Sequence, residues 1–200
     1  MTLALAGAIV ALVVAILVPS IPKRTPEYRI RCASNMRAIG KAIFAYADLH
    51  GGAFPDSLGS LVLEADPNLE VSAACFVCPA SNDKPAKHDS RDSLAHQLST
   101  IGAPDSYALA ESRLAAHNSY IYAATGRRRA GILPETVLLY EPLSNHAKGA
   151  EGINVLLGDG TVDFIPTLYA SKYVAELLAG HNPPRAEKIG DARPTTATAQ

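Results

Sequence analysis

The feature that most constrains this chain is its opening run, MTLALAGAIVALVVAILVPSIP, in which no residue from Met1 to Pro22 carries a side-chain charge. At about 1.5 Å rise per residue, roughly 20 helical residues match the hydrocarbon thickness of a bilayer. The segment must therefore end in lipid or among other apolar surfaces. A secretory signal would place basic residues ahead of the apolar run, whereas Lys23, Arg24, Arg29 and Arg31 all follow it. A plain anchor beginning at Met1 would hold the following residues in the cytoplasm by the positive-inside bias, which suits a Cys-containing, Thr-tailed domain poorly. Removal of a short basic leader ahead of Met1 resolves the conflict, because the leader's charge would retain that end inside and send the rest outward. Met1 is therefore expected to be a processed N-terminus. Met1, Leu3, Leu5, Gly7, Ile9, Leu12, Val13, Ile16 and Leu17 form the expected assembly helix, interrupted at Pro19 and Pro22. Gly7 and the alanines permit close helix approach.

Beyond this run the formal net charge of −1 provides no long-range field for nucleic acid or an anionic membrane surface. The expected organisation is an apolar helix over 1–24, a head domain over 25–180 and a Pro/Thr-rich tail over 181–200. Thr25-Pro26-Glu27 reads as a helix start. Ile30, Met36, Ile39, Ile43, Tyr46 and His50 follow at helical spacing, with Arg37, Lys41 and Asp48 opposite, and Gly51-Gly52 ends the helix. A short helix is expected over Leu58 to Glu64, and a strand over 71–77 that stops at Cys78-Pro79. Residues 80–118 read as a polar loop with a helical piece around 94–100 or 107–115. Strands are expected over 119–125, 136–141 and 152–157, and Gly158-Asp159-Gly160 signals a hairpin. A last helix follows Pro166, marked by Leu168, Tyr169, Tyr173, Val174, Leu177 and Leu178, and ends at Gly180. The fold class is α+β: a long helix, apolar then amphipathic, packed on an antiparallel sheet.

The chemistry-bearing residues are few. Cys75 and Cys78 form half of a metal or redox motif, and neither a second Cys pair nor a spaced His pair completes it. In an extended segment the two fall on opposite faces. Cys32 on the long helix then becomes the partner for one of them, and a Cys32–Cys78 disulfide is expected because Phe76, on the same strand face as Cys78, points toward that helix; Cys75 stays free. His146, Asp159 and Asp163 suggest acid–base or metal chemistry, but turn preference assigns Asp159 to the hairpin and leaves the others solvated. Arg127-Arg128-Arg129 reads either as a solvated turn or as a subunit contact. With no phosphate-binding loop and no nucleophile motif, enzymatic activity is not expected.

Met1-Thr2-Leu3 opening a charge-free helix, with Pro22 near its end, resembles the mature start of type IV pilins and type II secretion pseudopilins. RCASNMRAIGKAIFAYADLHGGAFPDSL, FVCPAS and HAKGAEGINVLLGDGTVDF are similar to stretches of pilin-like proteins common in planctomycete and verrucomicrobial-type genomes. Together these stretches cover roughly half of the chain, and their order makes the match more specific than any one motif. Two positions depart from the pattern: Leu5 stands where pilins carry an acidic residue, and Thr161 where the group has His. The resemblance implies an inner-membrane subunit that meets a prepilin peptidase and an assembly machine, then polymerises with identical subunits at the cell surface. A secretion pseudopilin and a membrane-anchored periplasmic binding or enzymatic domain are the alternatives. No cofactor is expected; the resemblance to major pseudopilins leaves calcium as the one open alternative, although no acidic loop of that kind is legible here.

Overall fold

Helix α1 (Thr25–Leu49) supplies the surface against which one face of the sheet is laid. In the computed structural model, the described residues are 25–64, 71–84, 117–146 and 152–185. The expected assembly helix over 1–24, the region around 94–115 and the tail beyond Arg185 lie outside them. Among the described residues no helix is long and apolar enough to cross a membrane. After α1 come α2 (Leu58–Glu64), a 3-10 turn (Ala73–Phe76), strands β1 (Ile121–Tyr122), β2 (Val137–Tyr140), β3 (Gly152–Leu157) and β4 (Val162–Pro166), and α3 (Thr167–Leu178). The strands form one antiparallel sheet in the order β1-β2-β3-β4. The observed class is thus α+β.

The sheet is apolar on both faces, and the two-residue period of β3 shows how they are divided. Asn154 and Leu156 turn toward α1, where Leu156 joins Met36, Ile39, Ile43, Phe54, Leu61 and Phe76 in one core. Ile153, Val155 and Leu157 turn the other way and meet Ile165, Ala170, Tyr173 and Val174 of β4 and α3 in a second core. The inner strands β2 and β3 are covered on both faces, so β2 reads as a continuous apolar run, VLLY, rather than an alternating one. Gly40 lets α1 approach closely, since a Cβ there would stand 2.9 Å from Leu156 Cδ1.

Several expectations need correction. Residues 71–77 do not extend: Cys75 N–H donates to Ser72 O and Val77 N–H to Ala74 O, so the small Ala-Ala pair turns and satisfies its amides locally. The run 119–125 contributes only Ile121–Tyr122 to the ladder, because Ser119 N–H is already given to Phe76 O and Arg127 N–H closes a turn on Ala124 O. Ile30 is 62% exposed rather than buried. His50 is exposed too, its ring stacked on Tyr46 with centroids 3.8 Å apart. The head also continues past Gly180: Asn182 accepts from Val137 N–H and donates to Val137 O, both at 2.7 Å, and Arg185 clasps Glu176.

The Gly40–Leu156 approach makes a double-substitution test. Leu156→Ala should cost about 2–5 kcal/mol in urea denaturation through the cavity it leaves. Gly40→Ala, crowded in the parent protein, should recover about 1 kcal/mol of helix propensity in the Leu156→Ala background. Equal effects of Gly40→Ala in the two backgrounds would show that the faces are not in contact.

Candidate metal centre

Three separate segments deliver four polar side chains into the α1 side of the sheet. Cys32 lies on α1, two turns into the helix and on the same buried face as Met36 and Ile39. Cys78 follows the 3-10 turn, whose placement is fixed by Asn35 Nδ2 donating to Val77 O at 3.1 Å. Glu141 directly follows β2, and His146 sits five residues later in a turn held by Asn145 Nδ2 donating to Ser119 O at 2.7 Å. The ligand-type atoms of Cys32, Cys78, Glu141 and His146 all lie within 4.8 Å of one another. Cys32, Cys78 and Glu141 have no exposure and His146 has 6%.

The internal geometry is tight. His146 Nε2 is 3.1 Å from each Glu141 carboxylate oxygen and 3.7 Å from Cys78 Sγ. Glu141 Oε2 accepts from the Asn154 amide N–H at 2.7 Å and from Asn154 Nδ2 at 3.0 Å, and Asn154 Nδ2 also reaches Arg29 O on α1. Asn154 thus fixes one carboxylate oxygen and leaves Oε1 directed at the imidazole.

Proton positions follow from this packing. Burial favours neutral imidazole at His146, yet the Cys78 and Glu141 partners outweigh it and push its pKa up to about 10. The hydrogen bond from Cys32 lowers the Cys78 thiol to about 6 against the opposing effect of burial, with His146 assisting. Cys32 moves the other way, raised far above the ordinary thiol range first by its hydrogen bond to Cys78 and then by burial. Tyr120, 3% exposed, borders the same space. Burial and the nearby Cys32 and Cys78 sulfurs raise its ionisation well above the usual tyrosine range, with Asn35 easing it slightly.

The structure brings together some of the residues expected from sequence and separates others. Cys32 and Cys78 are neighbours, but both are free thiols, sharing their site with an imidazole and a carboxylate instead of being joined to each other. Cys75 lies outside the cluster, half-buried with its sulfur 3.6 Å from Ser72 Oγ. Asp159 serves the hairpin, accepting from Thr161 N–H and Oγ1 at 2.8 and 2.7 Å. Asp163 is half-buried, with a carboxyl pKa raised by burial and by Asp159. His146, expected to be solvated, is instead enclosed in the cluster.

The arginine run is engaged within the chain. Arg128 donates to Gly51 O at 2.6 Å, Arg129 pairs with Asp48 and lies over the Phe44 ring, and Arg127 reaches Asn182 O. Glu141 escaped the sequence reading altogether. Its signal was an acid closing the apolar run TVLLYE, five residues ahead of a histidine. Compared with protein-family models, curated proteins and solved structures, the chain matches none.

Two outcomes follow from this burial. Brief iodoacetamide treatment of the native protein should modify Cys75 well before Cys32 or Cys78, as read by peptide mass spectrometry; equal labelling would contradict the enclosure. Asn154→Ala, which strips two donors from their acceptors, should lower stability by about 1–3 kcal/mol in chemical denaturation.

Proposed function

We propose that the chain is a structural subunit of an extracellular type IV pilus-like filament, held in the inner membrane before assembly and polymerised through its leading apolar segment. The observation that carries this reading is the junction at Thr25. In the sequence a charge-free run from Met1 to Pro22 is followed by Lys23-Arg24, and α1, the helix on which the antiparallel sheet is seated, begins at Thr25. A head built in this way presents its sheet and α3 away from the helix. The apolar run can then be withdrawn from lipid into a bundle of identical runs, with dispersion and apolar burial supplying cohesion.

The rest of the head suits a structural role. Cys32 and Cys78 have no exposure, so no substrate can reach either thiol without opening the core. Each arginine of 127–129 holds a loop against the end of α1 or the chain after α3. Ala53 and Arg128 also form an isolated antiparallel bridge there, so the run stiffens the head by intramolecular bonds.

Ala11→Trp or Ala15→Trp should abolish fibres while leaving the urea unfolding of the head unchanged, because a bulky ring blocks close approach of neighbouring helices. Electron microscopy of cell-surface material is the readout. Long surface fibres lost on substitution support the filament subunit; short pieces confined to the periplasm would move the assignment to a secretion pseudopilin. Solitary molecules with normal function in both variants would leave a membrane-anchored domain.

A further inference from the structure

The four buried groups on the α1 side of the sheet are arranged as donors around a common point. His146 Nε2 carries at most one proton, yet it faces both oxygens of Glu141 and the sulfur of Cys78. One N–H cannot serve three acceptors at full strength. A cation between them would satisfy all four lone pairs at once.

We propose that Cys32, Cys78, Glu141 and His146 form a closed structural zinc site that bolts α1 to the sheet. Zinc bound at about 2.3 Å to sulfur and about 2.0–2.1 Å to nitrogen or oxygen gives tetrahedral edges of about 3.6 Å for S···N and about 3.4 Å for N···O. The corresponding separations are 3.7 Å for Cys78 Sγ to His146 Nε2 and 3.1 Å for His146 Nε2 to Glu141 Oε1. Both pairs lie within a few tenths of an ångström of a tetrahedral edge, and all four donor atoms lie within 4.8 Å of one another.

The donor set selects the metal. Two thiolates and an imidazole favour zinc over calcium or magnesium, which take oxygen ligands. Four protein donors with almost no exposure leave no open position for water or substrate, as a structural site requires. The outer contacts fit as well. Asn154 holds Glu141 Oε2 through two donors, so the carboxylate binds through Oε1 alone. The buried Tyr120 hydroxyl lies near the two sulfurs, whose charge metal binding would fix. This site stands whether or not the chain polymerises, since it rests on the head alone.

A Cys32–Cys78 disulfide is the competing chemistry, and it removes both thiolate ligands. The full chain, purified in detergent without reductant or chelator, separates the two by metal analysis and non-reducing peptide mapping. The expected result is one zinc ion per chain, Cys32 and Cys78 both as thiols, and alkylation of the pair only after chelation. Cobalt exchanged into the wild-type protein should show thiolate charge-transfer and tetrahedral ligand-field bands. Zinc should be lost in Cys78→Ser and kept in Cys75→Ser. Asn154→Ala, which leaves all four ligands in place, should weaken zinc about 10–100-fold. A mapped Cys32–Cys78 disulfide, or reduced wild-type protein that stays metal-free when given one equivalent of zinc or cobalt, would overturn the proposal.

Discussion

A carboxylate with no exposure sits at the end of β2, and much of the head's arrangement can be derived from the need to satisfy it. An unpaired buried charge costs several kcal/mol, so Glu141 must be surrounded by donors wherever the chain places it. The β2–β3 register does this by setting Asn154 beside it: Glu141 N–H donates to Asn154 O, while the Asn154 backbone and side chain both return donors to Glu141 Oε2. Because side chains alternate along β3, placing Asn154 toward α1 also sends Leu156 toward α1, and Ile153, Val155 and Leu157 toward α3. Slipping the register by one residue would strand the charge and invert both cores together.

The same constraint links the sheet to the helix. Asn154 extends to the Arg29 carbonyl, and the Arg29 guanidinium lies 4.4 Å from the centroid of the Phe164 ring on β4. Cys32, less than one turn further along α1, enters the polar cluster. One stretch of helix therefore meets β3, β4 and the chain after β2 through three kinds of contact, none of them purely apolar. Further along, Met36, Ile39 and Ile43 continue the attachment by packing alone.

How much of this was legible in the sequence depended on the range of the interaction. α1 could be bounded closely because Thr25-Pro26-Glu27 and Gly51-Gly52 are local signals, and the β3–β4 hairpin because Gly158-Asp159-Gly160 is one too. Residues 71–77 misled, since Val, Cys and Phe favour strands only where a neighbouring edge exists to pair with, and here the amides close on themselves. The polar cluster was hidden for a related reason. Its members come from three segments, with Cys78 and His146 alone 68 residues apart, so no single spacing rule unites all four. Cysteine spacing pointed to a two-sulfur partnership, and only the fold supplies the carboxylate and imidazole that join it.

The position of that cluster along α1 decides how the head answers a pull. From Thr25 to Cys32 the helix rises only about 10 Å, so a force applied at the Thr25 end meets Arg29 and Cys32 before it meets the packed residues beyond. Tension directed along the rod would be resisted in shear, with several bonds strained at once rather than unzipped in turn. The Arg129–Asp48 and Arg128–Gly51 ties secure the far end of the same rod. Anchored at both ends, α1 would carry traction through the head as a single stiff strut.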